Sequence, residues 1–460
     1  MNESTVSLIK NFSITKLFGY KDLCLSFEYP IRILIGENGY GKTTILNVLY
    51  YLLKGKYEKL LEINFESVAI ELNKSYSFSK ELIQNYCDYL NRLKSNQGSL
   101  ITFIKDNLSN DEWGYVIENI QKKDLKDSLI SIFQKNSIFK QIPSQLIYDQ
   151  ILNFTRGFKK ISIFTIFIDF EREIEKMNVE ILYFPTYRRV EEDMKNLVPV
   201  AARKEGNDAL LIDDSIIKFG MDDVENRIKT ITSTIYQSSV SGFNSVYGSI
   251  ITQLLNDNEK KEQFNFDSKQ LKIVLNRIGR SLPPAEKDAI LSRINSTDNK
   301  LDGNLAFFLN KLIDVYKQQE KFDSALKLFT DKCNEYLVDK GFRYDESEVT
   351  LKLYRKNDKN ELSEDSKDEL KLKQLSSGEK QIVSIFSKIY LEIDKRYIIL
   401  FDEPELSLSL YWQRNFLPDI YDSKQCQFLL AVTHSPFIFD NKLATYTTGI
   451  REFAECGVKE

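Results

Sequence analysis

Apolar and polar positions alternate with a period near two between residues 12 and 35, a pattern that predicts short β-strands. A turn at Gly19 and a break at Pro30 separate these strands, and the last run, 31–35, is continuously apolar. That run leads directly into a glycine-rich loop. From residue 43 to 53 the apolar positions recur every three or four residues, which indicates an amphipathic helix. The chain is therefore predicted to begin with strand, loop and helix in that order.

The same two patterns recur along the rest of the chain. Apolar positions that share one helical face occupy residues 82–93, 224–235 and 308–316. Strand-like runs occupy residues 63–72, 180–185, 346–354, 398–401 and 428–432. The last two runs are continuously apolar, as is typical of parallel strands that are buried on both faces. We predict an α/β fold, a mixed sheet with flanking helices into which α-helical lobes are inserted.

The chain is predicted to have five parts. They are an N-terminal core part, a helical insert, a core re-entry strand, a second helical insert and a C-terminal core part, which span 1–75, 76–178, 179–199, 200–340 and 341–460. Neither insert holds sustained heptads, and Pro143, Pro283 and Pro284 interrupt them. Both inserts are therefore predicted to be compact helical lobes rather than long coiled-coil arms.

Composition narrows the class of protein. The chain has 460 residues, of which 28% are charged, and a net charge of -4, so it has no global cationic field to attract nucleic acid. Its five cysteines, at 24, 87, 333, 426 and 456, lack C-x-x-C spacing, which predicts reduced thiols and no zinc site. The N-terminus has no apolar signal region and no run is long enough to span a bilayer. We expect a cytoplasmic protein that does not bind membranes.

The glycine-rich loop, Gly-Glu-Asn-Gly-Tyr-Gly-Lys-Thr, matches a phosphate-binding P-loop in the strand–loop–helix context that such a loop needs. Its glycines let backbone N–H groups point at phosphates, its lysine neutralises the β and γ phosphates, and its threonine hydroxyl binds Mg2+. The chain is thus predicted to bind ATP with Mg2+. The predicted ATP-binding residues are Gly36, Asn38, Gly39, Gly41, Lys42, Thr43 and Thr44.

Acidic residues and a histidine follow the two buried strands near the C-terminus. Asp402 and Glu403 end the run 398–401, at the sheet edge where open α/β folds place ligands. We predict that Asp402 joins Thr43 in binding Mg2+ and that Glu403 polarises the attacking water, the alternative being an acidic strand-end turn. His434 is the only histidine. A lone histidine is more often structural, but one at a strand end can hydrogen-bond a γ-phosphate, and we predict that His434 is a catalytic residue together with Glu403.

The order of P-loop, Leu-Ser-Ser-Gly-Glu loop, acidic strand and histidine resembles the ABC-type ATPases. The resemblance is strongest to the soluble branch that includes SMC, RecF and the overcoming-lysogenization-defect nucleases. It implies that the signature loop of one protomer caps the ATP held by another, so that the chain works as a head-to-tail dimer or a higher oligomer. The residues that would bind ATP in trans are Ser376, Ser377, Gly378 and Glu379. Ser377 replaces the first glycine of the family's loop, which alters the backbone approach to the γ-phosphate.

Two positions leave alternatives open. The re-entry strand ends in Thr186 where family members carry a glutamine that senses the γ-phosphate. One alternative is that Tyr187, Arg188 or Arg189 takes that role. The other is that the two arginines form ion pairs with the nearby Glu191 and Glu192, and both alternatives stay open. Upstream, the aromatic residues of the first hairpin either stack on adenine or, as we favour, pack in the core. They are Phe18 and Tyr20.

Two longer motifs narrow the resemblance. Residues 402–408, Asp-Glu-Pro-Glu-Leu-Ser-Leu, and 183–189, Tyr-Phe-Pro-Thr-Tyr-Arg-Arg, look like those of the Septu anti-phage defence ATPases (PtuA), which also occur beside some retrons. This resemblance implies an ATPase that assembles with an HNH-type nuclease and reaches DNA through that complex. About twenty-five residues follow His434, so we expect the nuclease to act in trans. The alternatives are an SMC/RecF-like DNA-repair or DNA-binding ATPase and, less favoured, a transporter subunit.

Overall fold

A computed structural model describes most of the chain and divides it into two compact units. The described residues are 7–37, 39–95, 100–120, 122, 125–139, 141–155, 164–186, 220–255, 268–278, 282–295, 303–357, 359, 361–363 and 365–450. The first unit comprises the described residues up to 186 together with 396–406 and 413–450, and the second comprises 220–395 and 407–412. No helix among these residues is long and apolar enough to cross a membrane.

Both units contain strands and helices. The strands are β1 (Asn11–Leu17), β2 (Lys21–Ser26), β3 (Ile31–Ile35), β4 (Ser67–Glu71), β5 (Ser75–Ser79), β6 (Glu180–Phe184), β7 (Lys340–Asp345), β8 (Thr350–Arg355), β9 (Glu369–Leu370), β10 (Tyr397–Asp402), β11 (Cys426–Thr433) and β12 (Thr447–Gly449). The helices are α1 (Lys42–Leu53), α2 (Tyr57–Leu61), α3 (Lys80–Ser95), α4 (Leu100–Asp106), α5 (Asn110–Asn119), α6 (Lys126–Lys135), α7 (Ser144–Thr155), α8 (Thr165–Met177), α9 (Met221–Leu255), α10 (Ser268–Arg277), α11 (Pro284–Asn295), α12 (Gly303–Tyr336), α13 (Ser377–Leu391) and α14 (Leu410–Tyr421).

A parallel sheet positions the P-loop and the acidic strand. Its order is β12-β3-β11-β10-β6, and every neighbouring pair is parallel. All six residues of β10 are buried, which explains its continuously apolar run. Thr433 pairs with Ile35, and Asp402 pairs with Val432, so the carboxyl ends of β3, β10 and β11 meet at one edge. The predicted P-loop strand and both predicted C-terminal strands are confirmed.

A second, antiparallel sheet and helices α1–α8 complete the first unit. Its order is β2-β1-β4-β5, and β5 falls inside the stretch that the sequence predicted as a helical insert. Side chains of helices α3–α8 share one hydrophobic core with both sheets. Tyr86 of α3 stacks on Phe167 of α8 with ring centroids 4.0 Å apart, and Phe167 also contacts Phe78 of β5. The first helical insert is thus part of the core of its unit.

Two long helices dominate the second unit. Helices α9 and α12 have 35 and 34 residues, roughly 50 Å each at 1.5 Å per residue. They pack antiparallel, with Ser239 hydrogen-bonded to Gln319 at 3.1 Å. A Cβ on Gly242 would lie 2.4 Å from Cγ1 of Val315, so the helices cross closely there. Apolar side chains also hold the pair, since Val246 of α9 is buried in one hydrophobic cluster with Leu309 and Ile313 of α12.

A β-hairpin replaces the single strand predicted at 346–354. The antiparallel strands β7 and β8 flank a turn at residues 346–349, and β9 pairs with β8. The Asp345 carboxylate accepts hydrogen bonds from the N–H groups of Ser347 and Glu348 at 2.8 and 3.0 Å. These hydrogen bonds stabilise a turn at a point where the alternating pattern alone predicts a continuous strand.

Candidate active site

The P-loop of the first unit joins β3 to α1 as predicted. Gly39 and Gly41 have positive φ values of 87° and 82°, which only glycine adopts readily. A Cβ on Gly41 would also lie 2.9 Å from the Phe18 ring. Gly36 differs, since a Cβ there would only touch Ile450 at 3.5 Å, an ordinary contact. Glycine is therefore required at Gly39 by its positive φ alone, since a Cβ there would meet nothing within 4 Å, and at Gly41 by both its φ and the lack of space.

The aromatic residues of the first hairpin are not core residues. Phe18 is 41% exposed and Tyr20 is 79% exposed. The favoured prediction of core packing is wrong for both, because residues 18–20 form the exposed turn between β1 and β2. Phe18 instead packs against the P-loop at Gly41.

Lys42 lies at the centre of the sheet edge. Its Nζ donates to the carbonyl oxygen of Gly36 and, at 3.1 Å, to that of Glu37. The same Nζ contacts Nε2 of His434 and lies 3.4 Å from Nδ1 of that ring. Burial lowers the pKa of Lys42, while the neighbouring carboxylates, led by Glu403, oppose that shift. The structure thus brings the P-loop lysine and the lone histidine to one point.

Asp402 is held between two hydroxyl groups. It is 3% exposed, and its Oδ1 accepts from Thr43 Oγ1 at 3.1 Å. Its Oδ2 accepts from Thr186 Oγ1 at 2.8 Å. A buried carboxylate beside a threonine hydroxyl is an oxygen donor set that suits Mg2+. Among the described residues no group of three or more His, Cys, Asp and Glu converges on one point, so the cation would need phosphate or water oxygens as well.

Glu403 and His434 face each other across the ends of β10 and β11. Oε1 of Glu403 lies 3.7 Å from Nε2 of His434, and about a third or less of each side chain is exposed. The Glu403 backbone has a positive φ of 51°, and its N–H donates to the carbonyl oxygen of Val432 at 2.9 Å. This left-handed conformation is costly for a residue with a Cβ and is common at functional sites. A carboxylate here can accept a proton from a water molecule.

Glu405 binds the loop that carries His434. Its carboxylate accepts hydrogen bonds from Oγ1 of Thr433 at 2.8 Å and from the N–H groups of His434 and Ser435 at 2.9 and 3.2 Å. Gln413 extends the network, because its Oε1 accepts from Ser435 Oγ at 2.6 Å. Sequence reasoning assigned no role to Glu405 or to Thr186. The spacing Asp-Glu-Pro-Glu was the available signal for Glu405.

The signature residues belong to the second unit, where they begin helix α13. Ser376 caps this helix, and its N–H donates to Oε2 of Glu379 at 2.7 Å. Glu379 also forms an ion pair with Lys340 at 3.2 Å and is 7% exposed. A Cβ on Gly378 would lie 2.4 Å from the carbonyl oxygen of Ser407. Ser376 is exposed and Ser377 half-buried, whereas Gly378 and Glu379 are engaged within their own chain.

The first unit therefore brings together most of the predicted site, namely Gly39, Gly41, Lys42, Thr43, Asp402, Glu403 and His434. Thr44 lies in the first turn of α1 and is half-buried. Several predicted residues lie outside the described part of the chain: Asn38, Tyr187, Arg188, Arg189, Glu191, Glu192 and Cys456. So does the predicted boundary between the parts 179–199 and 200–340.

Comparisons with known proteins point to one family. The AAA ATPase domain family matches residues 8–439. No curated protein matches the chain. Among solved structures, the chain is similar to an Smc head domain with a coiled coil and joint derived from Pyrococcus yayanosii, with 12% identity over 96% of this chain and 94% of that chain and a TM-score of 0.29. It is also similar to an Smc head domain with an extended coiled coil bound to the C-terminal domain of ScpA derived from Pyrococcus furiosus, with 12% identity, coverages of 96% and 92% and a TM-score of 0.33. Both TM-scores are low, so neither likeness carries an inference about this chain.

Proposed function

This chain belongs to the AAA ATPase domain family, and from that premise we propose that it is an ABC-type ATPase in which ATP joins two copies head to tail. The observation that supports the proposal is that each chain carries, in separate units, the two sets of residues that such a shared site needs. One set is the P-loop edge with Lys42, Asp402 and His434, and the other is the exposed Ser376 at the start of α13. Each chain supplies one of each set, so two copies can form two complete sites.

The residues of the P-loop edge divide the chemistry among them. Lys42 and the backbone N–H groups of the loop bind the β and γ phosphates, as P-loops do. Thr43 and Asp402 would hold Mg2+, which neutralises phosphate charge when bound. Glu403 accepts the proton of the attacking water as a general base. His434 contacts Lys42, so a γ-phosphate bound by the lysine is within reach of the histidine.

Two further residues position these groups. Thr186 donates to Oδ2 of Asp402, which leaves Oδ1 directed toward Thr43. Glu405 fixes the backbone at His434 and Ser435. Both contacts join strands that are neighbours in the parallel sheet, so they tie the histidine and the Mg2+ ligand to the rigid core. Supporting partners of this kind commonly change metal affinity or activity by 10–100-fold.

The biological role we propose is that of the ATPase subunit of a bacterial anti-phage defence complex in the cytoplasm. In this proposal the nucleotide state of the ATPase regulates a partner HNH-type nuclease, and DNA is reached through the complex. Its support is the resemblance of residues 183–189 and 402–408 to the Septu ATPases. The alternative is an SMC/RecF-like DNA-repair or DNA-binding ATPase.

Affinity capture from the native host tests this role. The tagged wild-type chain would be compared with Glu403→Gln, which is expected to retain ATP, and with Lys42→Ala, which is expected to bind it poorly. A stoichiometric, histidine-rich nuclease whose yield differs between the two variants supports the defence role. Recovery of DNA or repair proteins in place of a nuclease supports the alternative and contradicts the defence role.

A further inference from the structure

Helix α9 contains a long stretch without charge. From Thr230 to Leu255, where the helix ends, the sequence has no Asp, Glu, Lys, Arg or His, in a chain that is 28% charged. Ser, Thr, Asn and Gln fill most of its polar positions. Surface helices normally carry charged residues on the face that meets water. Depletion of charge together with exposed tyrosine is instead the composition of protein–protein interface cores.

Four large side chains of this stretch are exposed. Tyr236, Val240, Tyr247 and Ile251 are 67%, 45%, 53% and 60% exposed, respectively. At 100° per residue they lie within an arc of about 60°, so they form one stripe along roughly 22 Å of the helix. The face of α9 that packs on α12 is a different one, centred on Ser239 and Gly242. The four residues are called the exposed stripe below.

The exposed stripe is palindromic. Read from either end, its spacing is four, seven and four residues. A two-fold axis through its midpoint would place Tyr236 opposite the partner subunit's Ile251 and Val240 opposite the partner subunit's Tyr247. Each pair then joins one tyrosine to one β-branched residue, and each contact occurs twice, as an isologous interface requires. We propose that the exposed stripe pairs antiparallel with the same stripe of a second copy of this chain.

The area and the lack of charge of the exposed stripe are compatible with pairing to a second copy of this chain. The four side chains expose roughly 450 Å² together, so pairing would bury about 900 Å² from them alone. Flanking Ser, Gln and Asn side chains bring the total toward the ~1,200 Å² at which specific interfaces begin. Because both copies are uncharged along this stretch, no like charges meet at the contact. This contact needs no nucleotide, so it is distinct from the ATP-dependent pairing proposed above.

Cysteine cross-linking tests the register directly. In the proposed pairing, position 240 faces position 247 of the partner and neither position faces itself. Full-length chains with Val240→Cys or Tyr247→Cys should therefore form little disulfide dimer when oxidised separately without nucleotide. An equimolar mixture of the two should form the mixed dimer at least tenfold more efficiently. The wild-type chain, treated with the same oxidant, shows how much disulfide dimer the native cysteines form by themselves. Equal cross-linking of the separate variants and the mixture would overturn the pairing.

Solution association provides a second, independent measurement. Val240→Glu with Tyr247→Glu brings like charges together in the pair, whereas Val240→Lys with Tyr247→Glu brings opposite charges together. By sedimentation velocity without nucleotide, the first double variant should associate at least tenfold more weakly than the wild type, and the second should recover most of that loss. The substitutions are at two exposed side chains, those of Val240 and Tyr247, and thermal melts would check folding. A wild-type chain that is monomeric at about 100 µM, or two double variants that associate equally, would overturn the proposal.

Discussion

Removing the Glu405 carboxylate should slow ATP hydrolysis as much as removing the His434 side chain does. The carboxylate accepts three hydrogen bonds from residues 433–435, at 2.8 to 3.2 Å. Hydrogen bonds to a charged group contribute about 1.5–3 kcal/mol each, but water can replace part of this at a half-exposed site. A net loss of about 2 kcal/mol would lower the population of the ordered loop roughly 30-fold. We therefore expect Glu405→Ala to lower kcat about 10–30-fold.

Steady-state ATPase assays over a range of ATP concentrations would measure this effect. ADP affinity should change little, because Glu405 contacts the histidine loop and not the P-loop. Glu405→Gln is the matched control, since its one carbonyl oxygen can still accept from both backbone N–H groups, and it should lose only a few-fold. The double variant Glu405→Ala, His434→Ala should be no slower than His434→Ala alone, because both changes remove the same group from the site.

A further tenfold loss in the double variant would refute this reasoning. It would mean that Glu405 acts on a group other than His434. A fall in kcat that accompanies a large loss of thermal stability in Glu405→Ala, but not in His434→Ala, would likewise assign it a general structural role.

Three other substitutions test the roles of Glu403, Thr186 and Lys56. Glu403→Gln should bind ATP normally and lower kcat by 10²-fold or more, since it removes the general base; full turnover in a phosphate-release assay would place the base elsewhere. Thr186→Val should raise the Mg2+ concentration for half-maximal ATPase activity about tenfold through the lost hydrogen bond to Asp402, with rescue by excess Mg2+; an unchanged Mg2+ titration would contradict it. Burial is the main cause that lowers the pKa of Lys56 from the ordinary 10.5 to about 8. As pH rises, the folded chain therefore loses this proton at a lower pH than the unfolded chain does. Relative to Lys56→Met, the wild type should therefore gain stability as pH rises from 8 toward 10.5, by at most about 1 kcal/mol after solvent screening; denaturant melts of both chains at pH 7 and pH 10 would show a constant difference if the lysine were unperturbed.

Local patterns predicted the elements of the site because each is encoded within a few residues. The run 31–35, the glycine loop and the apolar strand before Asp402 each carry their own signal. The roles of Thr186 and Glu405 depend instead on which strands are neighbours. Thr186 meets Asp402 across 216 positions of sequence because β6 pairs with β10, and no local pattern specifies that pairing.

The packing partners of the helices likewise could not be predicted from local sequence patterns. The apolar face of α3 predicts that one side of the helix is buried, but not what it is buried against. In the structure, Tyr86 of α3 meets Phe167 of α8, in a core shared with the sheets. In α9 and α12, Gly242 and Ser239 mediate close packing that heptad counting does not detect.

Mixing two inactive variants tests the composite site most directly. Lys42→Ala removes the P-loop cation, and Ser376→Arg blocks the start of α13, so each chain alone should be inactive. In a mixed dimer, one site contains both defects and the other contains neither. With random exchange at a 1:1 ratio, half of the dimers are mixed and have one intact site of two, so activity should recover to about a quarter of the wild-type rate. A mixture that shows subunit exchange by native mass spectrometry but hydrolyses no more ATP than the two variants measured separately would contradict the head-to-tail ATPase.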